Sequence, residues 1–386
     1  MIQDPAGVLL VLVAIVGIFF FLEKHFRWKI FQYFPPLLWI YSIPVVLNNT
    51  GVIPAANPLY DGMRAYTLPV FITLMLLDVD FVAVVRVIGR GLLVMLLGTV
   101  GVVLGGPAAY FLFHRFLGPD GWKGFGALAG SWIGGTGNMA AVSGGIDTPP
   151  EELGLAVLAD NLVYLVWLPI LLASRNWIGR FARFTRADSD RVERLEAAVQ
   201  RLEQKSKEVE MHHLIYLVLL GLGSALLAEF VASSLPEIKP VLSTGTWKVL
   251  IVTTFGILLS LTPARRVPGS HAVAMAIVYL FVASMGAKAT LSGLTRAPWF
   301  LAAAYVWIAI HGLFCLLGAR LFRVDVHTAA IASAANIGGA ASAPIVAAYH
   351  RETLLPVAVL MALVGYALGN YLGVVTAQLC YWVGGG

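Results

Sequence analysis

Apolar residues dominate this chain in about a dozen long runs, broken by short polar or Gly/Pro-rich joints. The runs cover roughly 7–22, 34–52, 62–77, 91–113, 122–146 and 153–173, then 214–234, 247–261, 271–287, 299–321, 326–348 and 354–383. Several exceed the ~20 residues that an α-helix needs to span hydrocarbon. Inside lipid every backbone N–H and C=O must be satisfied within the segment, so runs of this length predict helices and not strands. The pattern is that of an all-α polytopic membrane protein. Runs holding Pro or paired Gly are expected to be bent or incomplete.

The runs form two sets. Ala129-Gly-Ser-Trp-Ile-Gly-Gly-Thr-Gly-Asn138 and Ser333-Ala-Ala-Asn-Ile-Gly-Gly-Ala-Ala-Ser342 read as copies at an offset of 204, and Phe71–Arg86 lies on Phe281–Arg296 at an offset of 210. Residues 1–174 therefore form a first repeat and 214–386 a second, each with four apolar runs, a Gly-rich run and a final run. A polar linker, 175–213, joins them.

If the Gly-rich runs cross the membrane, both halves face the same way. If they enter and return as hairpins, each half crosses five times and the halves are inverted. With hairpins and the N-terminus outside, the inner loops hold Lys24, Arg27, Lys29, Arg86, Arg90, nine linker residues, Arg265, Arg266, Arg320, Arg323 and Arg351, which is 19 of the 26 Lys and Arg. Cytoplasmic loops are rich in these residues, and the crossing arrangement divides them more evenly. The charge pattern thus favours two inverted structural repeats, each of about five spanning helices plus a Gly-rich broken or re-entrant helix. Inverted repeats place a transport site near the midplane, where the halves meet.

Composition agrees with the class: 59% hydrophobic residues, 12% charged and a mean hydropathy of +0.82. The net charge of +5 needs no nucleic-acid partner, since basic cytoplasmic loops account for it. Gln3 and Asp4 precede the first run and Lys24, Arg27 and Lys29 follow it, the reverse of a cleavable signal peptide, so this segment is expected to remain as a helix. Cys315 and Cys380 sit in apolar runs and suggest neither a disulfide framework nor a cysteine metal site. In the linker, Val192, Leu195, Val199, Leu202 and Val209 recur at spacings of three and four with Ser206 in the remaining slot. This predicts an amphipathic helix, lying on the membrane, packing on its own chain or forming a parallel coiled coil with a second copy.

The candidate chemistry lies in the Gly-rich runs and the helices after them. Small residues let backbone approach a ligand, and hydroxyls and amides replace the lost helical partners of a broken segment. Half-helix N-termini attract anions, whereas unwound carbonyls attract sodium or protons. Ser131, Gly134, Gly135, Gly137, Gly338, Gly339, Ser342, Tyr366 and Asn370 are therefore candidates for holding a solute. Thr136, Asn138, Asp160, Asn161 and Asn336 are candidates for ion coupling, with Asp160, Asn138 and Asn336 the expected sodium ligands. Asp160 lies ~15 Å along the helix that begins near Pro150. A carboxylate there costs several kcal/mol unless protonated, paired or bound to a cation, which makes it a functional candidate. The second half has Val364 at the matching position, so the coupling ion is expected to favour the first half.

Packing competes with each of these readings. Gly126, Gly130 and Gly134, and likewise Gly365, Gly369 and Gly373, are spaced by four as in close helix contacts. His311 reads as a satisfied core imidazole, Asp78, Asp80 and Lys288 as solvated helix ends, and Asn48 and Asn49 as a kink or a cavity wall. No nucleophile elbow or zinc-hydrolase motif occurs, so an enzyme is not expected.

At the GGTGN and NIGGAASAP segments and at Ala159-Asp-Asn-Leu-Val-Tyr164 the chain resembles, over nearly its whole length, the YjcL-like family of uncharacterised bacterial multi-spanning proteins. That family looks related to the superfamily of cation/proton antiporters, bile-acid sodium symporters and citrate or glutamate sodium symporters. The resemblance implies a homodimeric elevator transporter of the bacterial plasma membrane. Its scaffold would be 1–60 and 214–265, and its mobile core 61–174 and 266–386. The leading expectation is a sodium- or proton-coupled carrier of a small, anionic organic solute, without a cofactor beyond bound Na+. The alternative is a monovalent cation/proton antiporter using Asp160, and the core helix of the second half lacks the basic residue such antiporters often carry.

Overall fold

The computed structural model describes residues 2–26, 28, 30–33, 35–77, 79, 88–187, 208–290 and 295–385. Among them every regular element is helical. The first half contains α1 (Pro5–Phe26), α2 (Pro36–Asn49), α3 (Leu68–Leu77), α4 (Arg90–Phe113), α5 (Gly121–Gly134), α6 (Thr136–Gly145) and α7 (Pro150–Ala173). A short α8 (Ile178–Thr185) opens the linker. The second half contains α9 (Met211–Ala232), α10 (Thr244–Ser260), α11 (Ser270–Lys288), α12 (Ala297–Phe322), α13 (Val326–Ile337), α14 (Gly339–His350) and α15 (Leu355–Val383).

Seven described helices, α1, α4, α7, α9, α11, α12 and α15, are long and apolar enough to cross a membrane. Of the ten crossings expected, three fall short of that length. α2 has 14 residues, begins at Pro36 and contains Pro44. α3 has 10 residues and is entered through Pro58–Gly62 and a wide π-turn at Met63–Thr67. α10 has 17. Large apolar side chains such as Leu10 and Phe21 on α1, Leu219, Leu226 and Phe230 on α9, and Leu313 and Leu321 on α12 stand exposed. Hydrocarbon is the solvent that accepts such a face.

Both Gly-rich runs fold back on themselves, the choice that spacing alone left open. In the first, Gly135 takes φ 79°, a left-handed conformation that favours glycine. Its N–H still donates to the Ser131 carbonyl at 2.6 Å, and its own carbonyl accepts from Asn138 N at 3.0 Å to restart the helix. α5 and α6 then lie antiparallel, with Gly130 against the Asn138 carbonyl and Val142, and Gly126 against Ile146. In the second, Gly339 at φ 56° makes the turn, and His327 and His350 close the far ends with their Nδ1 atoms 3.0 Å apart. The two turns touch: a Cβ on Gly339 would stand 3.3 Å from the Gly135 Cα.

The glycine stripes of α5 and α15 mesh with each other. Gly134 meets Gly365, Gly130 meets Gly373 and Gly126 meets Ala377, an antiparallel register in which a methyl on Gly365 would strike the Ile133 carbonyl. Missing side chains let the backbones approach, which in lipid supplies the packing that a hydrophobic effect cannot. α4 uses the same device, as Gly98, Gly101, Gly105 and Gly106 face His311, Phe314, Trp307 and Ile310 of α12.

Packing is reciprocal between the halves. α2 lies on α11 and α10 on α3, while α3 and α4 pack on α11 and α12. The hairpins differ: the first packs chiefly on the last helix of the other half, α5 on α15, whereas the second packs chiefly on that same helix of its own half and more lightly on α7.

Polar groups at the helix ends find local partners. Asn48 and Asn49 both donate at 3.1 Å to the Ala289 carbonyl that ends α11, so they cap a neighbouring helix, and neither lines the main cavity. Glu152, buried at the start of α7, pairs with Arg296 at the start of α12. Glu229 pairs with Lys248, Asp147 with Arg64, and Lys288 with Asp61 at 3.6 Å. Asp78, Asp80 and the linker heptad from Val192 to Ser206 lie outside the described residues.

Candidate functional site

α7 begins at Pro150, whose fixed φ suits the first helical turn, and the regular helix that follows carries Asp160 to its middle. There the carboxylate meets hairpin α5–α6. Ser131 donates its hydroxyl to Oδ2 at 3.1 Å, and the Trp132 indole donates to Oδ1 at 3.0 Å. Trp132 is fully buried and held by Trp307, with ring centroids 4.7 Å apart. One oxygen is thus fixed by a rigid aromatic donor and the other by a rotatable hydroxyl.

A cavity of about 590 Å³ opens beside this carboxylate. Ser131, Gly135 and Thr136 line it from the first hairpin, and Ile337, Gly338 and Ser342 from the second. Along α7 its wall runs from Asp160, Asn161 and Tyr164 to Leu172, an axial length of ~18 Å at 1.5 Å per residue. Phe20 and Glu23 of α1, Phe31, Pro35 to Leu37 and Tyr279 of α11 close the other side. The Tyr164 hydroxyl is buried beside Ser342. The volume falls in the range of sites for small organic molecules, ~300–1,000 Å³.

The structure divides the sequence candidates between this cavity and the packed interior. Ser131, Gly135, Thr136, Asp160, Asn161, Gly338 and Ser342 line the cavity. Asn161 also donates back to the Val157 carbonyl at 2.7 Å. Gly134 and Gly137 lie behind the turn, Gly134 against Gly365 and Gly137 against Met75, and Gly339 forms the contact with Gly135. Tyr366 is buried, stacked 6.0 Å from His271, and its backbone carbonyl accepts from Asn138.

Asp160, Asn138 and Asn336, expected to share one cation, instead occupy three separate hydrogen-bond sets. Asn138 Nδ2 donates at 2.9 Å to the Tyr366 carbonyl and at 2.9 Å to Asn370 Oδ1, while Asn370 Nδ2 donates to Thr253 Oγ1 at 2.8 Å. Asn336 Nδ2 donates to the Met95 carbonyl at 2.9 Å, and its Oδ1 accepts from Thr99 at 3.0 Å. Each amide therefore ties a hairpin to a long helix, α6 to α15 and α13 to α4. Asn138 Oδ1 differs: it is fully buried and has no partner.

His311 is satisfied at both nitrogens, by the Gly98 carbonyl at 2.9 Å and the Ser333 hydroxyl at 3.0 Å. Ser333 also receives the Trp167 indole at 3.0 Å, which joins α7, α12 and α13.

Two residues beside Asp160 were not among the sequence candidates. Trp132, which bonds the carboxylate, sits next to Ser131, and Tyr164, which lines the cavity, follows Asp160 by four, one turn along the same helix face, a spacing that could have found it. Glu23, next to the basic flank of Lys24, Arg27 and Lys29, was not a candidate, and only the tertiary arrangement brings it into the cavity. The expected anionic solute meets a wall with two carboxylates, Glu23 and Asp160, and no Lys, Arg or His among its described residues. Arg27 and Lys29, in the same segment, lie outside the described residues.

The chain is 29% identical over 372 residues to the protein named "Uncharacterized membrane protein YjcL" of Bacillus subtilis (strain 168), covering 91% of both chains. A family described as "Protein of unknown function (DUF819)" matches residues 10–381. Seven long apolar helices, two Gly-rich hairpins meeting at their turns and a match across almost the entire length make this chain a membrane protein that belongs to that family.

Proposed function

We propose that the protein is a secondary active transporter, a sodium- or proton-coupled carrier of a small organic solute. The observation that carries this reading is the cavity at the crossing of the two hairpins, where the carboxylate of Asp160 sits beside two helix breaks. A broken helix offers exposed backbone groups at the ends of two half-helices, which suits simultaneous binding of a solute and a cation. Ser131, Thr136, Gly135, Gly338 and Ser342 would contact the solute, and Asp160, with Asn161 beside it, would couple to the ion. Asn138, with its unpartnered Oδ1, is a further group that a cation would satisfy.

The reciprocal packing of the halves supports inverted repeats, which supply two nearly equivalent states for alternating access. α2 and α10, with α1 and α9, would serve as the scaffold of an elevator, and the rest, from α3 to α7 and from α11 to α15, as its moving core. In a homodimer of the plasma membrane with the N-terminus outside and the linker in the cytoplasm, the cavity opens inward, because its wall ends near the C-termini of α1 and α7.

A monovalent cation/proton antiporter would use Asp160 alone. The cavity volume favours a solute carrier, since a dehydrated alkali ion needs a small fraction of it. The two separate in proteoliposomes. An antiporter exchanges labelled sodium against a pH gradient with no organic solute, whereas a carrier takes up its solute only when the ion gradient is imposed. An Asp160→Asn protein that kept full gradient-driven transport would refute both.

A further inference from the structure

The side of the cavity formed by α1, α11 and the segment after α1 has a chemistry of its own. Phe20 and Glu23 are three residues apart on α1 and so share a face. Tyr279 of α11 meets Phe20 edge to face, with ring centroids 4.7 Å apart. Phe31, from the segment between α1 and α2, stands on the same wall and is itself braced by Phe19 at 6.5 Å and by Trp28 at 6.3 Å. Three aromatic rings and one carboxylate thus share this side, and the described wall holds no Lys, Arg or His. Ring faces carry negative electrostatic potential and attract cations, most of all where water is excluded. A carboxylate beside them adds charge of the same sign, and an anionic group placed here would face both.

We infer that the solute carries a positively charged amine, seated among Phe20, Phe31 and Tyr279 against Glu23. This deepens the transporter reading and rests on it for the assumption that the cavity receives a solute. The polar remainder of the solute would extend toward Ser131, Thr136 and Ser342, where hydroxyls and the ends of two half-helices can accommodate either a neutral or an acidic group. Asp160, already held by Ser131 and Trp132, is left for the coupling ion.

The test is binding to the purified full-length protein in detergent, read by thermal shift and by calorimetry. The ammonium probes are choline, tetraethylammonium and n-butylammonium. The controls are 3,3-dimethyl-1-butanol, the uncharged isostere of choline, together with butyrate and succinate. At least one ammonium probe should stabilise the protein, and the uncharged isostere and the carboxylates should not. Glu23→Gln should weaken that ammonium probe by about tenfold, the loss of one charge-assisted contact. Phe20→Leu, which keeps Glu23 and removes one ring, should also weaken it. Stabilisation by butyrate or succinate with none by the ammonium probes overturns the inference, as does equal binding of choline and its isostere, or unchanged ammonium binding in both variants. Sodium binding measured on Glu23→Gln and Asp160→Asn separates this failure from failure of the transporter reading. If sodium binding depends on Asp160 while ammonium probes are ignored, only the solute class is wrong. If ammonium binds through Glu23 but no ion gradient drives uptake, only the transport reading is wrong.

Discussion

Asn138 offers a quantitative test, because it is both a tie between two helices and a candidate cation ligand. Its Nδ2 makes two buried hydrogen bonds at 2.9 Å, to the Tyr366 carbonyl and to Asn370 Oδ1, and its Oδ1 is buried without a partner. Asn138→Ala removes both bonds, each contributing ~1 kcal/mol net, and leaves the Asn370 oxygen without its donor at a cost of roughly 1–3 kcal/mol. It also removes the unpartnered Oδ1, which returns a similar amount. In sodium-free buffer the two desolvation effects nearly cancel, and the net loss should be about 2 kcal/mol. If Oδ1 binds the coupling cation, sodium stabilises the wild type and not the variant. The gap then widens by RT ln(1 + [Na+]/Kd), ~2.7 kcal/mol at a hundredfold excess over Kd. Unfolding of purified protein followed by tryptophan fluorescence, with and without sodium and with potassium to hold ionic strength, measures both quantities. A stability gap indifferent to sodium would leave Asn138 as a structural tie alone. No loss in either buffer would refute the hydrogen-bond reasoning itself, and Asn370→Ala should then also be neutral.

Three further outcomes are expected. Asp160→Asn is nearly isosteric, and its amide still accepts from Trp132 while the Ser131 hydroxyl turns to accept from it; the protein should fold normally yet lose gradient-driven uptake in proteoliposomes. Arg296→Met strands the buried Glu152 and should destabilise by about 3 kcal/mol, whereas the Glu152→Gln/Arg296→Met double variant should recover much of this, as chemical denaturation would show. Gly365→Ala drives a methyl against the Ile133 carbonyl, a backbone atom that cannot swing aside, so a loss of roughly 1–3 kcal/mol should appear as a lower melting temperature; an unchanged value would disprove the close approach of α5 and α15.

The sequence by itself determined the membrane class, the two-part organisation of the runs and the place of the polar breaks. These properties are local: twenty apolar residues in lipid have few options besides a helix, and Ile-Gly-Gly with flanking hydroxyls is hard to accommodate in an unbroken one. It also put Asp160 at mid-helix, since the distance from Pro150 is a count of residues multiplied by a fixed rise.

What the tertiary structure decided is where each polar side chain points and whom it meets. Asn138 and Asn336 look alike in the sequence as amides beside broken helices, yet their nitrogens turn toward α15 and α4 and away from Asp160. The glycines of α5 and α15 each read as a packing stripe, but nothing in either stripe says that they pack on each other. Glu23 lies 137 positions before Asp160 in the chain, and no periodicity connects them. They line one cavity because α1 and the segment after it close over the hairpin crossing, a contact made by shape and packing between elements whose local preferences are already satisfied.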